Sequence, residues 1–528
     1  MGRREPWLAG IVAIIALLVL SHGVLTIIFD SNSWFDMHWL FPMISSWWSG
    51  DTIMYADPSL LAPGDAAYRY PPFWAVTMLP LIELLPLRPA IAAWGLLSVV
   101  AFFGSLALVV RHLELRVSSV ELATLLLAIA LFGPFYETFI GPTKELVLFA
   151  LMATTFVLSD RSRPVAAGLS FGAAILLKIY PAFFGLYFLL RRDFRTLFYT
   201  AVWFVVLNVF TITVSGFADT YTFFFELLPS LGGSSVDPEN AGFVMLLMGI
   251  EHWSWFDHGL FALQREAPYV VAGIVWRLLV VAGFVSLMVA LERRGAMAVA
   301  RTRFMLFATW TSAVLVLIPV SWMNYQIFLA FPMVAVVVWA SERKLTAVGA
   351  TAVAVFVVSI LYMSTPIKAA LLWRYVDPGM KAAHALSTGV GYELGSELEA
   401  RVLQRRKELG IIGDATSLEG SGRREVKSRL AEHAVSHGGS RASEYEHLRS
   451  RIVRVRARNS LPVAARFEAR VRRAGLTTNQ VIAFVAARSG VGVAAFLSMM
   501  LLCTTRPGVG AHADGSSSEG PSPRHPTT

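Results

Sequence analysis

Between Trp7 and Phe29 the chain carries no Asp, Glu, Lys or Arg, and apolar stretches of similar length recur along its first 363 residues. A helix that crosses a bilayer needs roughly 20 predominantly apolar residues, so each such stretch reads first as a membrane span. Hydrophobic residues make up 55% of the 528 positions, more apolar surface than one soluble core can hide. The bilayer must act as solvent for the excess. The expected fold class is all-α, a polytopic membrane helical bundle with about ten to twelve transmembrane helices. The first run ends at Phe29-Asp30 and exceeds the apolar core of a secretory signal, which makes it an uncleaved anchor.

Charge placement orients the bundle. Arg3 and Arg4 precede the first run, which puts the N-terminus in the cytoplasm and residues 30–72 outside. Trp34-Phe35 and Trp47-Trp48 in that outer segment suit helices lying in the headgroup layer. Further spans are expected at 89–111, 119–135, 143–158, 196–214, 268–291, 302–320, 325–341 and 344–363. The basic links Arg111–Arg116, Arg161–Arg163 and Arg293–Arg303 all fall on the cytoplasmic side if 73–86 only dips into the interface. Pro80 and Pro86 favour that, since each interrupts a helical ladder. The run 164–190 has basic residues at both ends and is divided by Lys178 and Pro181; it reads as a hairpin of two short helices whose break lines a cavity. A second outer loop, 215–267, carries Gly232-Gly233-Ser234-Ser235 and Asp237-Pro238-Glu239-Asn240 and is long enough to cover a site.

The formal charge of +9 resides largely in links between spans and in the C-terminal part, a pattern that points to anionic membrane lipid and not to nucleic acid. Cys503 is the single cysteine, so an intramolecular disulfide and a cysteine-based metal site are both excluded. The organisation expected is a transmembrane domain over 1–363, a charged Arg-rich helical extension over 364–480, a weak last span over 481–503 that contains Arg488, and a disordered tail over 504–528. Ser396-x-x-Glu399 and Ser443-x-x-Glu446 are capping boxes for short helices in the extension.

Ionisable groups at membrane depth need a partner or a task. Asp36, in Ser33-Trp34-Phe35-Asp36-Met37-His38, lies a few residues beyond the first span, where a carboxylate shielded by aromatics can take a proton from a hydroxyl. On spacing alone a solvated loop aspartate is the alternative, and Asp51 and Asp57 compete for the role. Tyr70-Pro71-Pro72-Phe73 enforces an extended entry into the next helix. Lys178, in Leu176-Leu177-Lys178-Ile179-Tyr180-Pro181, either binds a phosphate or snorkels to the interface. Lys144-Glu145 reads as an adjacent charge pair at a helix start, structural before catalytic. Arg277 lies mid-span and calls for an internal carboxylate or phosphate. Ser321-Trp322-Met323-Asn324-Tyr325 follows Pro319 at a span end, where polar side chains face a cavity or form an ordinary interfacial belt.

The order of these elements, an Asp after the first span, Tyr-Pro-Pro-Phe, a Gly-led helix, Lys-x-x-Pro, a late Asn loop and Pro-x-Ser-Trp, resembles the GT-C membrane glycosyltransferases. The closest likeness is to glycosyltransferase family 87, the polyprenol-phosphate-mannose-dependent α-mannosyltransferases. It runs over about residues 7–363 and is best from Gly141 to Arg195. The resemblance implies an inverting transfer of a hexose, mannose by analogy, from a polyprenyl-phosphate sugar to a lipid-linked or glycan acceptor on the external face. It implies Asp36 as catalytic base, Lys178 or Arg69 at the leaving phosphate, and His38, Tyr70, Lys144, Asn240, Ser321, Trp322, Asn324 and Tyr325 among the substrate-binding residues. No cofactor, metal or nucleotide sugar is implied. Two motifs depart from the family: Gly141-Pro142-Thr143-Lys144 replaces Gly-Gln-x-Asn, and Ser321-Trp322-Met323-Asn324-Tyr325 replaces Ser-Trp-x-His-His. Competing readings are a transporter or flippase for a lipid-linked substrate, which also uses broken helices and intramembrane charge, and a non-catalytic relative.

Overall fold

The structure is a computed structural model that describes residues 5–29, 35–50, 54–55, 68, 70–115, 118–140, 143–230, 267–318, 321, 323–342, 347–362 and 478–504. Two compact units divide the chain, one formed by Met1–Glu251, Leu260–Ala369 and Ile482–Thr528, the other by His252–Gly259 and Ala370–Val481. The helices below belong to the first, apart from the opening turn of the last one. The capping boxes at Ser396 and Ser443, the extension up to residue 477 and the tail beyond 504 lie outside the described residues, as does most of the loop 215–267 beyond Ser230.

The protein is an all-α membrane helical bundle, as its sequence predicts. Helix α1 (Glu5–Phe29) is followed by α2 (Phe35–Trp48), α3 (Pro72–Leu84) and α4 (Leu87–His112). Then come α5 (Ser119–Leu131), α6 (Gly133–Ile140), α7 (Glu145–Asp160), α8 (Pro164–Leu177), α9 (Gly185–Leu190), α10 (Phe194–Ser215) and α11 (Phe217–Tyr221). The remaining helices are α12 (Ala267–Arg293), α13 (Ala300–Leu317), α14 (Ala330–Glu342), α15 (Ala347–Tyr362) and α16 (Thr478–Thr504). Among the described residues, three helices are long and apolar enough to cross a membrane by themselves, within α4, α10 and α12, and shorter apolar helices accompany them.

Burial separates lipid-facing from central helices. Helix α10 exposes Phe198, Val205 and Val209, and α12 exposes Leu278 and Leu279. Apolar faces this broad are stable only against lipid or another apolar partner. At the centre, α13 is buried continuously from Phe304 to Leu317, and α7 buries both its polar first residue and its apolar middle. Phe149 of α7 stacks on Phe331 of α14 at 4.1 Å, and Phe156 packs on Phe304 and Phe307. A hydrophobic helix all round is the sequence signature of such a position.

Two close approaches set the geometry around α8. Gly168 and Gly172 lie four residues apart, the small-xxx-small spacing that lets two helix backbones meet. A Cβ on Gly168 would stand 2.6 Å from the Tyr199 carbonyl carbon, and one on Gly172 would stand 3.3 Å from the Phe204 nitrogen. Helix α8 thus runs directly against the backbone of α10.

One end of the bundle is tied by Asp160 at the foot of α7. Its carboxylate lies 2.8 Å from His112 Nε2 and accepts from Arg303 Nε at 2.5 Å and Arg303 Nη2 at 3.0 Å, with Arg191 Nη2 at 3.5 Å. Arg301 donates to the Leu113 and Glu114 carbonyls left open where α4 ends. Asp193 caps α10 through the Thr196 N–H and accepts from Ser159. The ends of α4, α7 and α9 and the starts of α10 and α13 therefore meet at one arginine-rich level.

Two local readings come out differently from expectation. Pro80 sits inside α3 without ending it, and the break falls at Leu85-Pro86. Among the described residues Arg277 meets a backbone group and not a carboxylate: its Nε donates to the Leu317 carbonyl at 3.0 Å. That carbonyl is one of the acceptors freed where α13 stops before Pro319. The stretch 481–503 is one helix with its neighbours, and its apolar half packs into the bundle, Cys503 Sγ lying 3.5 Å from Thr309 Oγ1.

Candidate active site

Residues 164–190 form the divided hairpin that the sequence suggests. Helix α8 starts at Pro164, at the arginine level, and runs for fourteen residues to Leu177, a length of about 21 Å. Lys178 follows in extended conformation (φ −164°, ψ 134°), and Tyr180–Phe184 continue as a 3₁₀ turn. Pro181 has no N–H with which to continue the α-helical ladder, and the chain turns back into α9.

Around this break the structure gathers polar groups from four distant stretches. Lys178, 8% exposed, pairs through its Nζ with Oε1 of Glu145, which is 1% exposed at the start of α7. Neighbouring Lys144 is 2% exposed and sets its Nζ 2.8 Å from the centre of the Tyr70 ring and 5.1 Å from that of Trp74. Lys178 Nζ lies 3.7 Å from the Tyr325 ring centre, with the rings of Tyr180 and Tyr70 at 5.7 and 5.8 Å. Tyr180 and Tyr325 stack at 4.9 Å. Two ammonium groups and a carboxylate thus share a box walled by tyrosines, whose ring faces are electron-rich and attract cations.

Extended chain before α3 supplies one wall. Tyr55 donates to the Tyr70 carbonyl at 2.7 Å and Tyr68 to the Pro71 carbonyl at 3.2 Å, which holds Tyr70 over Lys144. Burial pushes the Tyr55 and Tyr68 phenols above their ordinary range, so both remain donors. The opposite wall is the 3₁₀ turn Met323–Leu329, where Gln326 Nε2 donates to Ser321 Oγ at 2.9 Å. Among the described residues, the buried Tyr180 hydroxyl, Asn324 Oδ1 and Gln326 Oε1 have no hydrogen-bond partner. Buried polar atoms are ordinarily satisfied, so these are the atoms to which a bound molecule has something to offer.

Of the residues singled out from sequence, Tyr70, Lys144, Lys178 and Tyr325 converge here, with Ser321 and Asn324 on the adjoining turn. Asp36 and His38 fall in the first turn of α2, a helix that packs on α3. Their side chains, and the whole of Arg69, Asn240 and Trp322, lie outside the described residues. Glu145 is the residue that sequence reasoning undervalued. Its adjacency to Lys144 suggested a neighbour pair, whereas its carboxylate is bound to Lys178, 33 positions away.

The same segment carries the likeness to known proteins. Residues 68–319 match the model of glycosyltransferase family 87. Over 175 residues, 31% of its length, this chain is 31% identical to the polyprenol-phosphate-mannose-dependent alpha-(1-2)-phosphatidylinositol mannoside mannosyltransferase of Mycolicibacterium smegmatis. The chain spans about 40% of the length of that relative. No solved structure matches the chain. The family 87 match includes Tyr70, Lys144, Glu145 and Lys178; Asp36 precedes it and the turn from Ser321 to Tyr325 follows it.

Proposed function

We propose that this protein is a polyprenyl-phosphate-sugar-dependent glycosyltransferase that moves a hexose, mannose by analogy with its relative, to a lipid-linked or glycan acceptor on the external face of the cell membrane. The observation that carries this reading is the buried Lys144–Lys178 box at the break of α8. A phosphate leaving with two electrons is stabilised by preorganised cations in a water-poor site, where each is worth more than in water. Tyrosine rings stand against both ammonium groups, Tyr70 against Lys144 and Tyr325 against Lys178.

Orientation supports the same side for the chemistry. The arginine-rich level is cytoplasmic by the positive-inside bias, and the box lies about 21 Å from it, toward the outer face. A polyprenyl chain can lie in lipid against the exposed faces of α10 and α12 while its phosphate reaches the box. In the reaction the acceptor oxygen attacks the anomeric carbon, the bond from that carbon to the phosphate oxygen breaks, and polyprenyl phosphate leaves with inversion at carbon. Asp36, on α2, takes the acceptor proton. The arginine-rich extension at 364–480 is an appendage dispensable for this step.

Purified protein reconstituted with polyprenyl-phosphate-mannose and a lipid-linked mannoside acceptor tests the proposal. Release of polyprenyl phosphate together with a product one hexose larger is expected. Translocation of the donor across the vesicle without release would favour the transporter reading.

A further inference from the structure

The reading above uses Lys178 but leaves Glu145 without a task. A carboxylate that is 1% exposed at the head of a central helix is an expensive group to keep, since an ion taken out of water loses several kcal/mol of solvation unless its partner is well placed. Lys178, for its part, stands at the end of a helix that has just been broken, on a four-carbon stem that is free to rotate. Nothing in the extended backbone at Lys178 fixes where its ammonium goes. The contact with Glu145 does, and it fixes it from α7, a helix anchored at its other end by Asp160.

We infer that Glu145 is a positioning residue: it holds the Lys178 ammonium against the faces of Tyr325 and Tyr180, so that the remaining N–H bonds are offered to the phosphate of the lipid donor. The inference rests on the reading of Lys178 as a phosphate-binding cation. Glu145 itself touches no reacting atom. Three features of the site agree with this role. The carboxylate binds Lys178 through Oε1 alone, a single contact that orients an ammonium without enclosing it. The Tyr180 hydroxyl, buried and without a partner among the described residues, belongs to the turn that starts two residues after Lys178, and the Tyr180 ring centre lies 5.7 Å from Lys178 Nζ. Glu145 also neighbours Lys144 in sequence, so one helix start governs both cations.

Variants of the full-length protein in vesicles, assayed with polyprenyl-phosphate-mannose, test this. Glu145→Gln keeps size and removes charge. It is expected to lower kcat by about a hundredfold, the scale of a misplaced group about 1 Å out of register. It should also weaken inhibition by added polyprenyl phosphate at least tenfold and leave the acceptor KM unchanged. Glu145→Asp, which keeps the carboxylate one methylene shorter, should recover part of both losses. The deciding measurement is the double variant: if Glu145 acts only through Lys178, E145Q/K178Q is no slower than K178Q, within about threefold. That variant also removes the unpaired buried charge, so its folding, read as thermal stability in detergent, stays comparable to wild type. A double variant slower than K178Q by the full separate effect of E145Q would overturn the positioning role, as would wild-type kcat and phosphate inhibition in E145Q when K178Q has lost both. Wild-type behaviour of K178Q itself would overturn the phosphate reading beneath it, a result distinct from either.

Discussion

Gly168 is the position where one added carbon should be felt at the active site. Its missing Cβ would meet the Tyr199 carbonyl carbon and Cβ at 2.6 Å and the Thr200 nitrogen at 2.7 Å, mostly backbone that no rotamer change can move aside. Carbon contacts are comfortable near 3.5–4.0 Å, so α8 and α10 must part by about 1 Å, a gap at which a quarter to a half of the dispersion attraction across it is forfeited. Overpacking of this kind costs about 1–3 kcal/mol. Against it, alanine is a better helix former than glycine by roughly 0.8–1.0 kcal/mol. The net loss for Gly168→Ala is therefore about 0–2 kcal/mol, and Gly168→Val, with two further carbons, loses more. At Gly172 the nearest contact is 3.3 Å, a shift of a few tenths of an ångström suffices, and the helix preference of alanine makes Gly172→Ala neutral or slightly stabilising. Because α8 ends at Lys178, opening the seam also moves the ammonium. Thermal unfolding in detergent, read with donor turnover on the same samples, should rank wild type and G172A above G168A, and G168A above G168V. A fully stable and active G168A alongside a damaged G172A would refute the packing argument.

Asp36→Asn should insert and fold as wild type yet lose at least about a hundredfold in turnover, within the usual range of general-base assistance, with donor binding little changed; turnover and donor affinity measured together check it. Near-normal turnover in D36N with a dead D51N or D57N would move the base to that residue. Asp219 accepts from Trp47 Nε1 at 2.9 Å, and burial pushes its carboxyl above the usual carboxylate range although the indole N–H pulls the other way. A folded-state pKa raised in this way favours the protonated form, so the contribution is present below the ordinary value and is lost as pH rises through the raised one. Wild type should lose stability relative to Asp219→Asn as pH rises from about 4, the ordinary carboxylate value, through the raised one, and a difference that stays constant as pH rises would contradict it. In a background lacking Cys503, a cysteine placed at position 36 should react with an impermeant reagent in intact cells and one at position 161 only after permeabilisation. The reverse pattern would invert the topology.

Much of this architecture was legible because the bilayer leaves few choices. The spans at 89–111 and 196–214 appear as Leu87–His112 and Phe194–Ser215, since length and hydropathy alone mark a helix that must satisfy its backbone internally. The hairpin at 164–190 was visible for a related reason: Lys178 and Pro181 together forbid an unbroken crossing. Less was legible in the site. Nothing in the sequence says that Glu145 binds Lys178, because direction along a helix surface depends on which neighbour it packs against. Arg277 illustrates the converse. Charge arithmetic calls for a carboxylate or phosphate, but a helix that stops before a proline leaves carbonyls open, and Arg277 donates to one of these. Pro80 was taken as a break, yet a helix tolerates proline where the lost hydrogen bond and ring clash are absorbed by surrounding packing. Aromatic boxes are harder still to foresee, since Tyr70, Tyr180 and Tyr325 are separated by more than a hundred residues and only the fold makes them neighbours.

The central claim is that the phosphate of a lipid-linked sugar sits between Lys144 and Lys178, and covalent capture tests it most directly. A polyprenyl phosphate carrying a photoreactive group on the carbon next to the phosphate, irradiated with the protein in vesicles and mapped by mass spectrometry, should label peptides that contain Tyr70, Tyr180 or Tyr325. Unlabelled polyprenyl phosphate should suppress that labelling, and Lys178→Gln should weaken it. Labelling spread along the lipid-facing residues of α10 and α12, unaffected by competitor or by K178Q, would contradict the account.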